Sequence, residues 1–484
     1  MNIAYQILFV VYLLLIIYTV IRILLDTETT PKALGYLLLV LFLPAIGIVI
    51  YFALGLNFRH LSSRYRVVKA QHELDRDMHN NMLPALDHSL NLREIGLEHY
   101  SSLAKFLKKL GNEPLQESSF TLLTNGEEKF PEVLRILDAA GHFIHMEYYA
   151  WENDIRGNQV KDCLLRKAKE GVKIRVIYDD YASRKIKPNI VKELKAGGVA
   201  AVPRIKVKIA MLANRMNHRD HRKIIIVDGV IGFVGGINVS DRYDNSIDTG
   251  LYWRDTHVKI TGPVVNSLQR HFIAGWNSVQ PEQLGYSKEL FPVNAIDHPP
   301  GIKAMAQVVA GGPAYPTSNI MLTYFKIFTS AREKLYITNP YFIPNDSIMD
   351  ALKQAATSGV DVRLMIPYKS DSAVVGAASK FYFPDLVQAG VKIYLYKKGF
   401  VHAKTVVADT CLSVIGTANM DVRSFDLNLE IMSVIYGRDF GQQFENVFMD
   451  DLKECMEVTS EIVNKASLGN RLLYAIARLI SAVL

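Results

Sequence analysis

The chain contains 484 residues, which is more than one compact domain usually holds, so at least two cores are expected. Apolar residues make up 49% and charged residues 21% of the chain, which excludes both a disordered tail and a uniformly hydrophobic channel. The net charge of +7 favours an anionic partner, either nucleic acid or acidic lipid. The three cysteines have no C-x-x-C spacing, which argues against a disulfide framework and a zinc–cysteine site.

Two long uncharged runs open the sequence, at residues 3–21 and 33–58. A helix of about 20 apolar residues crosses a hydrocarbon layer of about 30 Å, so each run predicts a membrane span. The first run lacks the basic start and the small-residue cleavage site of a signal peptide. Residues 1–58 are therefore predicted to form a two-helix transmembrane hairpin.

A basic segment follows the second run, with Arg59, Arg64, Arg66 and Lys69 and no acidic residue between them. Cytoplasmic flanks of membrane spans are enriched in Lys and Arg, so this segment and everything after it are expected in the cytoplasm. The chain is thus expected to be a multi-pass protein of the cell inner (cytoplasmic) membrane. Residues 59–115 are expected to form a basic helical linker close to the anionic membrane surface.

The rest of the chain alternates strand and helix signals, and it does so twice in the same order. Strand-like FIHMEYYAW (143–151) and VKIRVIYDD (172–180) are matched by LYITNPYFIP (335–344) and VDVRLMIPY (360–368). This repetition predicts two copies of one α/β unit, fused as a pseudo-dimer. The domains are expected at residues 116–295 and 296–462, followed by an amphipathic helix within 463–484.

Each copy ends in the same motif, H-x-K-x4-D-x6-G-[small]-x-N. The residues of the first copy and then of the second are His221, Lys223, Asp228, Gly235, Gly236 and Asn238, and His402, Lys404, Asp409, Gly416, Thr417 and Asn419. One His-x-Lys would be a weak signal, because most histidines are structural. Two copies of a six-position pattern at equivalent places of a repeat indicate a functional site.

The spacing of the motif also predicts its geometry. A β-branched run bounded by Asp228-Gly229 is typical of a β-hairpin, and residues i and i+2 of a strand share a face. His221 and Lys223 should therefore point the same way, with Asn238 delivered beside them by the return strand. Two such copies surround one centre with two imidazoles, two ammonium groups and two carboxamides.

That set of groups suits a phosphodiester. Lys and Asn side chains would bind the non-bridging oxygens through Lys223, Lys404, Asn238 and Asn419. One imidazole would attack phosphorus and the other would protonate the leaving alkoxide. Asp228 and Asp409 end their strands, so we expect them to hold the turns, although they belong to the catalytic motif.

A nucleophilic imidazole needs an acceptor for its second ring N–H. Asp255 and Glu430 lie downstream of the motifs at similar offsets and are the candidates for orienting the histidines; ordinary surface carboxylates are the alternative. His218 and His257 have no counterpart in the other copy and are expected to be structural. No His, Asp and Glu cluster resembles a metal site, so no metal and no cofactor are expected.

These motifs resemble those of the phospholipase D superfamily over residues 116–460. With LFLPAIGIVIYFALGLNFR, NHRDHRKIIIVDG and GTANMDVRSFDLNLE, the chain is similar to the bacterial cardiolipin synthases. The resemblance implies two tandem phospholipase D-like α/β/α sandwich domains behind the transmembrane hairpin. It also implies condensation of two phosphatidylglycerol molecules, as donor and acceptor, into cardiolipin and glycerol. His221 would form a phosphatidyl-histidine intermediate, and His402 would act as general acid and then as base.

Other functions share parts of this pattern. A hydrolytic phospholipase D or a phosphatidylserine synthase would use the same intermediate with another acceptor. A nuclease of the superfamily would suit the basic charge, but it usually has one motif and no membrane hairpin, so no nucleic-acid partner is expected. A non-catalytic membrane scaffold would not need two intact motifs. The C-terminal helix is expected either to lie at the membrane interface or to pack on the core, and the sequence assigns no oligomeric state.

Overall fold

The computed structural model describes residues 3–27, 30–52, 73–74, 76–77, 92, 96–205, 218–292 and 300–481. Its first elements are α1 (Ile3–Asp26), α2 (Thr30–Phe42) and α3 (Pro44–Ile50). Buried Ile23, Val40, Ile48 and Tyr51 pack these helices against one another. Among the described residues, α1 alone is long and apolar enough to cross a membrane.

The predicted hairpin is thus present only in part. The second apolar run is not one continuous helix, because it bends at Leu43, whose φ of −134° and ψ of 64° are not helical. Pro44 follows Leu43, and a proline both lacks the helical N–H and disfavours helical geometry in the preceding residue. Residues 53–58 and the basic flank at 59–69 lie outside the described residues.

Helix α4 (Ser101–Gly111) lies in the segment that was expected to be a linker. Leu103 and Leu107 are fully buried and belong to the same hydrophobic cluster as Tyr324 and Phe328 of the second repeat. The end of the expected linker is therefore part of a folded core. Its amphipathic spacing of leucines, rather than its positive charge, determines where it lies.

The first repeat then follows. Its strands are β1 (Gln116–Thr124), β2 (Phe143–Tyr148), β3 (Lys173–Tyr178), β4 (Ala200–Pro203), β5 (Lys223–Val227), β6 (Ile231–Gly235), β7 (Trp253–Arg254) and β8 (Thr256–Thr261). Its helices are α5 (Asn125–Asp138), α6 (Ile155–Lys169), α7 (Lys192–Ala196) and α8 (Val265–Asn277).

The second repeat has the same order of main elements. Its strands are β9 (Ile302–Gly311), β10 (Lys334–Thr338), β11 (Phe342–Ile343), β12 (Asp361–Pro367), β13 (Lys392–Tyr396), β14 (Phe400–Val401), β15 (Thr405–Ala408), β16 (Leu412–Gly416), β17 (Met420–Asp421), β18 (Glu430–Tyr436) and β19 (Cys455–Val458). Its helices are α9 (Asn319–Ser330), α10 (Asp346–Thr357), α11 (Ala373–Lys380), α12 (Phe383–Gln388) and α13 (Arg438–Leu452), and the chain continues with α14 (Ser460–Asn464) and α15 (Leu468–Ser481).

The two repeats share one 15-stranded sheet, whose order is β19-β13-β12-β10-β15-β16-β18-β9-β1-β8-β6-β5-β2-β3-β4. Strands β1 and β9 pair antiparallel at its centre, and the order runs outward in the same way on both sides. The predicted mixed α/β pseudo-dimer is thereby confirmed. Residues of both repeats, among them Phe272 of α8 and Phe444 of α13, form one shared hydrophobic cluster, so the two halves are fixed against each other.

Candidate active site

The two motif histidines lie at the boundary between the two halves, next to short segments that pair across this boundary. His402 follows β14, which pairs in parallel with β7 of the first half. Similarly, Asp220 precedes His221 and forms a parallel bridge with Leu429 of the second half. The backbone N–H of each histidine donates across the boundary, from His221 to Leu429 O at 2.9 Å and from His402 to Arg254 O at 2.7 Å. Each histidine is thus held by the opposite half.

The carboxylate that orients each histidine also comes from the opposite half. His221 Nδ1 lies 3.0 Å from both carboxylate oxygens of Glu430, and His402 Nδ1 lies 2.6 Å from Asp255 Oδ2. Both carboxylates are fully buried. Because Nδ1 of each ring is engaged, Nε2 is the nitrogen that can react. The structure thus brings together all four residues, in a crossed arrangement that the sequence left open.

Burial and the neighbouring lysines keep both imidazoles neutral at physiological pH. Burial, with Lys223 nearby, lowers the pKa of His221 to about 4 against the opposing effect of Glu430. Burial and Lys404 lower the pKa of His402 to about 3 against the effect of Asp255. Burial alone would raise the pKa of Asp255, but His402 and Lys404 outweigh it and hold the value at about 2. The free site therefore contains two neutral imidazoles, each beside an ionised carboxylate.

The two lysines begin or adjoin the strands after the histidines and are fully buried. Lys223 Nζ donates to His221 O at 2.6 Å, and Lys404 Nζ donates to His402 O. Burial is the main cause that lowers the pKa of Lys223 to about 7 and of Lys404 to about 8. An anion entering the site would be attracted by both ammonium groups and would favour their protonated forms.

The two asparagines differ in their partners. Asn238 donates to Tyr243 OH at 2.6 Å and accepts from Ala150 N at 3.2 Å. The buried Oδ1 of Asn419 has no hydrogen-bond partner within the described part of the chain. An unsatisfied buried carbonyl oxygen costs free energy, so a ligand that donates a hydrogen bond to Oδ1, such as a lipid hydroxyl, would stabilise this position.

The small residue of the motif, which is Gly236 in the first copy and Thr417 in the second, contacts the orienting carboxylate in each copy. A Cβ at Gly236 would overlap the Asp255 carboxylate, so this copy has room only for glycine. In the other copy, Thr417 Oγ1 donates to Glu430 Oε2 and accepts from Ile431 N at 3.0 Å. The replacement of Gly by Thr therefore adds a donor that fixes one carboxylate and not the other.

The motif aspartates lie at the opposite ends of their strands from the histidines. Asp228 has a φ of 51° in the β5–β6 turn and accepts from the backbone N–H groups of residues 141, 142 and 143 at 2.7–2.8 Å. Asp409, with a φ of 50°, accepts from the N–H groups of residues 332–334 and from Tyr100 OH at 2.8 Å. These contacts fit the turn-holding role expected for both residues.

Aromatic rings that were not predicted from the sequence surround the histidines. Tyr149 lies edge-on 4.7 Å from the His221 ring, and Tyr243, Trp253 and Tyr341 lie 5.5–6.4 Å from the His402 ring. Two of these residues, Tyr149 and Trp253, lie in the aromatic pairs YY (148–149) and YW (252–253), next to β2 and Asp255, a composition signal that could have indicated a site wall. Such a wall lowers the local dielectric and strengthens each charge interaction inside.

The two other histidines that the sequence singled out, His218 and His257, lie outside this cluster of reacting groups. His218 Nδ1 contacts Leu427 O at 3.0 Å, and His257 Nδ1 contacts Ile237 N at 3.3 Å, so both hold backbone. Across the described ranges, no group of three or more His, Cys, Asp and Glu residues could hold a metal ion.

Comparison of the chain with known proteins identifies the family that it belongs to. Residues 133–276 and 324–452 match the family described as "Cardiolipin synthase, PLD-like domain", and residues 14–55 match "Phospholipase D-nuclease N-terminal". The chain is 38% identical over 464 residues to cardiolipin synthase 2 of Bacillus cereus, covering 95% of this chain and 88% of that protein. It is also 38% identical over 442 residues to a cardiolipin synthase of a Geobacillus species, covering 91% and 86% respectively.

A solved structure supports the fold independently. The phosphatidylserine synthase of Haemophilus influenzae superposes with a TM-score of 0.58 at 14% identity, covering 79% of this chain and 99% of that one. At this identity the likeness concerns the fold alone. The sequence relatives and the two family matches confirm the resemblance noted above: the chain belongs to the cardiolipin synthase family of the phospholipase D superfamily.

Proposed function

We propose that the chain is a cardiolipin synthase that transfers the phosphatidyl group of one phosphatidylglycerol to another, releasing glycerol. The observation that carries the proposal is the pair of buried histidines, each bound through Nδ1 to a carboxylate of the opposite half. Two activated imidazoles beside two buried lysines match what a two-step transfer at phosphorus needs. The family relatives support phosphatidylglycerol as the substrate.

In the first step, His221 Nε2 attacks the phosphorus of the donor lipid. The bond from phosphorus to the glycerol oxygen breaks, and this oxygen takes a proton from His402. The phosphodiester anion raises the pKa of the imidazole it faces, so His402 can carry that proton although its pKa is low in the free site. Lys223 and Lys404, together with the Nδ2–H groups of Asn238 and Asn419, bind the phosphoryl oxygens as charge develops on them.

In the second step, a glycerol hydroxyl of the acceptor phosphatidylglycerol gives its proton to His402 and attacks the phosphorus. The P–N bond to His221 breaks, cardiolipin leaves, and both histidines return to their starting states. Glu430 and Asp255 hold the Nδ1–H of the two rings throughout. This transfer needs no metal ion and no organic cofactor, because the cationic groups belong to the chain itself.

We also propose that the enzyme lies in the cytoplasmic membrane. The apolar α1 supports membrane association, and the proposed arrangement is multi-pass, with residues 116–295 and 296–462 as catalytic domains in the cytoplasm. The basic charge at residues 59–69 supports this orientation through the distribution of Lys and Arg.

Product analysis tests the proposal. Purified full-length protein is supplied with vesicles of phosphatidylglycerol, and lipids and glycerol are measured by mass spectrometry, with EDTA present in one arm. We expect one glycerol per cardiolipin, with or without EDTA. Phosphatidic acid as the main product would instead identify a hydrolase, and loss of activity in EDTA with recovery by one divalent cation would contradict the metal-free mechanism. A variant lacking both histidines is the matched control.

A further inference from the structure

Helix α15 exposes one continuous apolar face. Six large side chains on it are 45–84% exposed: Leu468, Leu472, Leu473, Ile476, Leu479 and Ile480. Their spacing places them on one side of the helix. An apolar surface of this kind on a folded domain marks a place where another apolar phase makes contact.

The opposite side of α15 is fixed to the protein. Buried Ala477 packs with Ala378 of α11 and with Ile343 of β11. The Arg478 guanidinium lies 4.2 Å from the Phe381 ring, and Lys380 Nζ lies 5.9 Å from the Tyr474 ring. The helix is therefore seated on the domain, and the face left open is the apolar one.

The surface on which α15 packs lies close to the His402 side of the active site. Strand β11 directly follows Tyr341, whose ring is 6.4 Å from the His402 ring. Tyr341 OH donates to Asp371 Oδ2 at 2.6 Å, and Asp371 lies two residues before α11. The elements that carry α15 are thus the elements that line the site beside His402.

We propose that α15 inserts its apolar face into an anionic lipid surface and so sets the His402 side of the site against the membrane. The inference rests on the proposed function only in the choice of lipid as substrate. Charge selects the partner: α15 contains Arg471 and Arg478 and no acidic residue, and Lys380 adds a third cation. An amphipathic helix with this charge binds anionic lipid, with its apolar side chains at the level of the acyl chains.

Site-specific fluorescence tests the insertion in the full chain. A polarity-sensitive dye is attached at Leu472→Cys or Leu479→Cys, with exposed Asn470→Cys as the matched control, in a Cys455→Ser background because Cys163 and Cys411 are buried. In phosphatidylglycerol vesicles we expect blue-shifted emission and quenching by lipid-borne quenchers at 472 and 479, several-fold stronger than at 470. Equal, water-like emission at all three positions would overturn the proposal.

Activity measurements give a second, independent readout. In Leu472→Ser/Leu479→Ser, we expect the ratio of turnover on vesicles to turnover of a soluble nitrophenyl phosphodiester to fall several-fold, while Asn470→Ser leaves this ratio unchanged. Cross-linking between the 472 positions of two chains, with no lipid quenching, would assign the face to a second copy and contradict the proposal. Lipid quenching without cardiolipin formation would support the helix assignment and refute the proposed function.

Discussion

The two halves of the catalytic sheet are built alike but surround their histidines differently. Next to His221 in sequence are Asp220 and Arg222, whereas Val401 and Ala403 flank His402. Arg222 lies 3.7 Å from Glu147 and donates to Tyr315 OH at 3.3 Å, so a buried charged network adjoins His221. A symmetric scaffold thus carries two unlike environments, which is what two unlike roles in one reaction require.

The carboxylates differ in the same sense. Asp255 accepts from its neighbour Thr256 N at 2.7 Å and abuts Gly236, whereas Glu430 is held by Thr417 and by Asn428. Each histidine is therefore oriented by a different acid with different support. The roles of His221 and His402 can therefore be tested separately, by substitutions that change the surroundings of one histidine at a time.

The largest loss of activity is expected when either catalytic histidine is substituted. His221→Ala removes the attacking atom and His402→Ala removes the proton donor, so turnover of natural lipid should fall by about 10⁴-fold or more in each. A nitrophenyl phosphodiester, whose leaving group needs no proton, should restore adduct formation in His402→Ala only. Peptide mapping should find an acid-labile adduct on His221. An adduct on His402 in His221→Ala would swap the roles, and unchanged activity would refute the two-histidine mechanism.

The crossed carboxylates come next. Glu430→Gln and Asp255→Asn remove the charge that orients one imidazole each and should lower kcat by about 10²- to 10⁴-fold. With the nitrophenyl donor, Glu430→Gln should still slow adduct formation on His221, whereas Asp255→Asn should not. Pre-steady-state adduct formation measures this difference. The opposite pattern would mean that each carboxylate serves the histidine of its own half.

The Gly236 and Thr417 positions should respond unequally to the same small side chain. Gly236→Ala places a methyl group against Asp255 and should lower kcat by about 10- to 100-fold through displacement of that carboxylate. Thr417→Ala removes one hydrogen bond to a buried charge, worth about 1.5 kcal/mol or about tenfold in rate. Thr417→Ser keeps the hydroxyl and is the matched control. Unchanged kcat in both alanine variants would show that the two acids do not depend on these neighbours.

The lysines should produce an alkaline limb in the pH profile. As the pH rises through about 7 for Lys223 and about 8 for Lys404, each ammonium loses its proton and its attraction for phosphate. We therefore expect kcat/KM to decline over this range, and kcat to decline only at higher pH, because bound phosphate favours the protonated lysines. Lys223→Arg should remove the earlier part of the decline. A kcat/KM that does not fall on the alkaline side would contradict the assignment.

The turn aspartates should change the rate per folded molecule least of all. Asp228→Ala and Asp409→Ala each leave three backbone N–H groups without their acceptor, which should lower the free energy of unfolding by about 1–3 kcal/mol. Asp409→Ala should cost more, because it also strands the buried Tyr100 hydroxyl. Denaturant unfolding and specific activity measure the two effects separately. A large loss of kcat with unchanged stability would instead give these residues a chemical role.

Local pattern was enough to predict much of the fold. The motif fixes a β-branched strand, a turn with positive φ at Asp228 and a return strand, and the sheet contains this hairpin in both halves. The periodicity of apolar residues predicts each helix and strand, and the same order of elements occurs twice. This repetition is what predicted the pseudo-dimer. The second apolar run is shown only in part: its composition predicts a span, whereas the structure interrupts its helix at Leu43, before Pro44.

The crossed pairing could not be read from the sequence. Asp255 and His402 are 147 residues apart, and their contact depends on how the halves dock through β1 and β9 rather than on any local spacing. The importance of Thr417 was hidden for the same reason, since a small residue at this position looks neutral until its hydroxyl is seen beside Glu430.

The exchanged carboxylates also bear on how such a chain can evolve. Because each half supplies the acid for the histidine of the other half, a substitution that removes one carboxylate impairs the motif of the opposite half. Neither copy can therefore serve as a spare for the other. Asp255 packs against Gly236 and Glu430 is bound by Thr417, so a change in either acid also affects its neighbour in the motif.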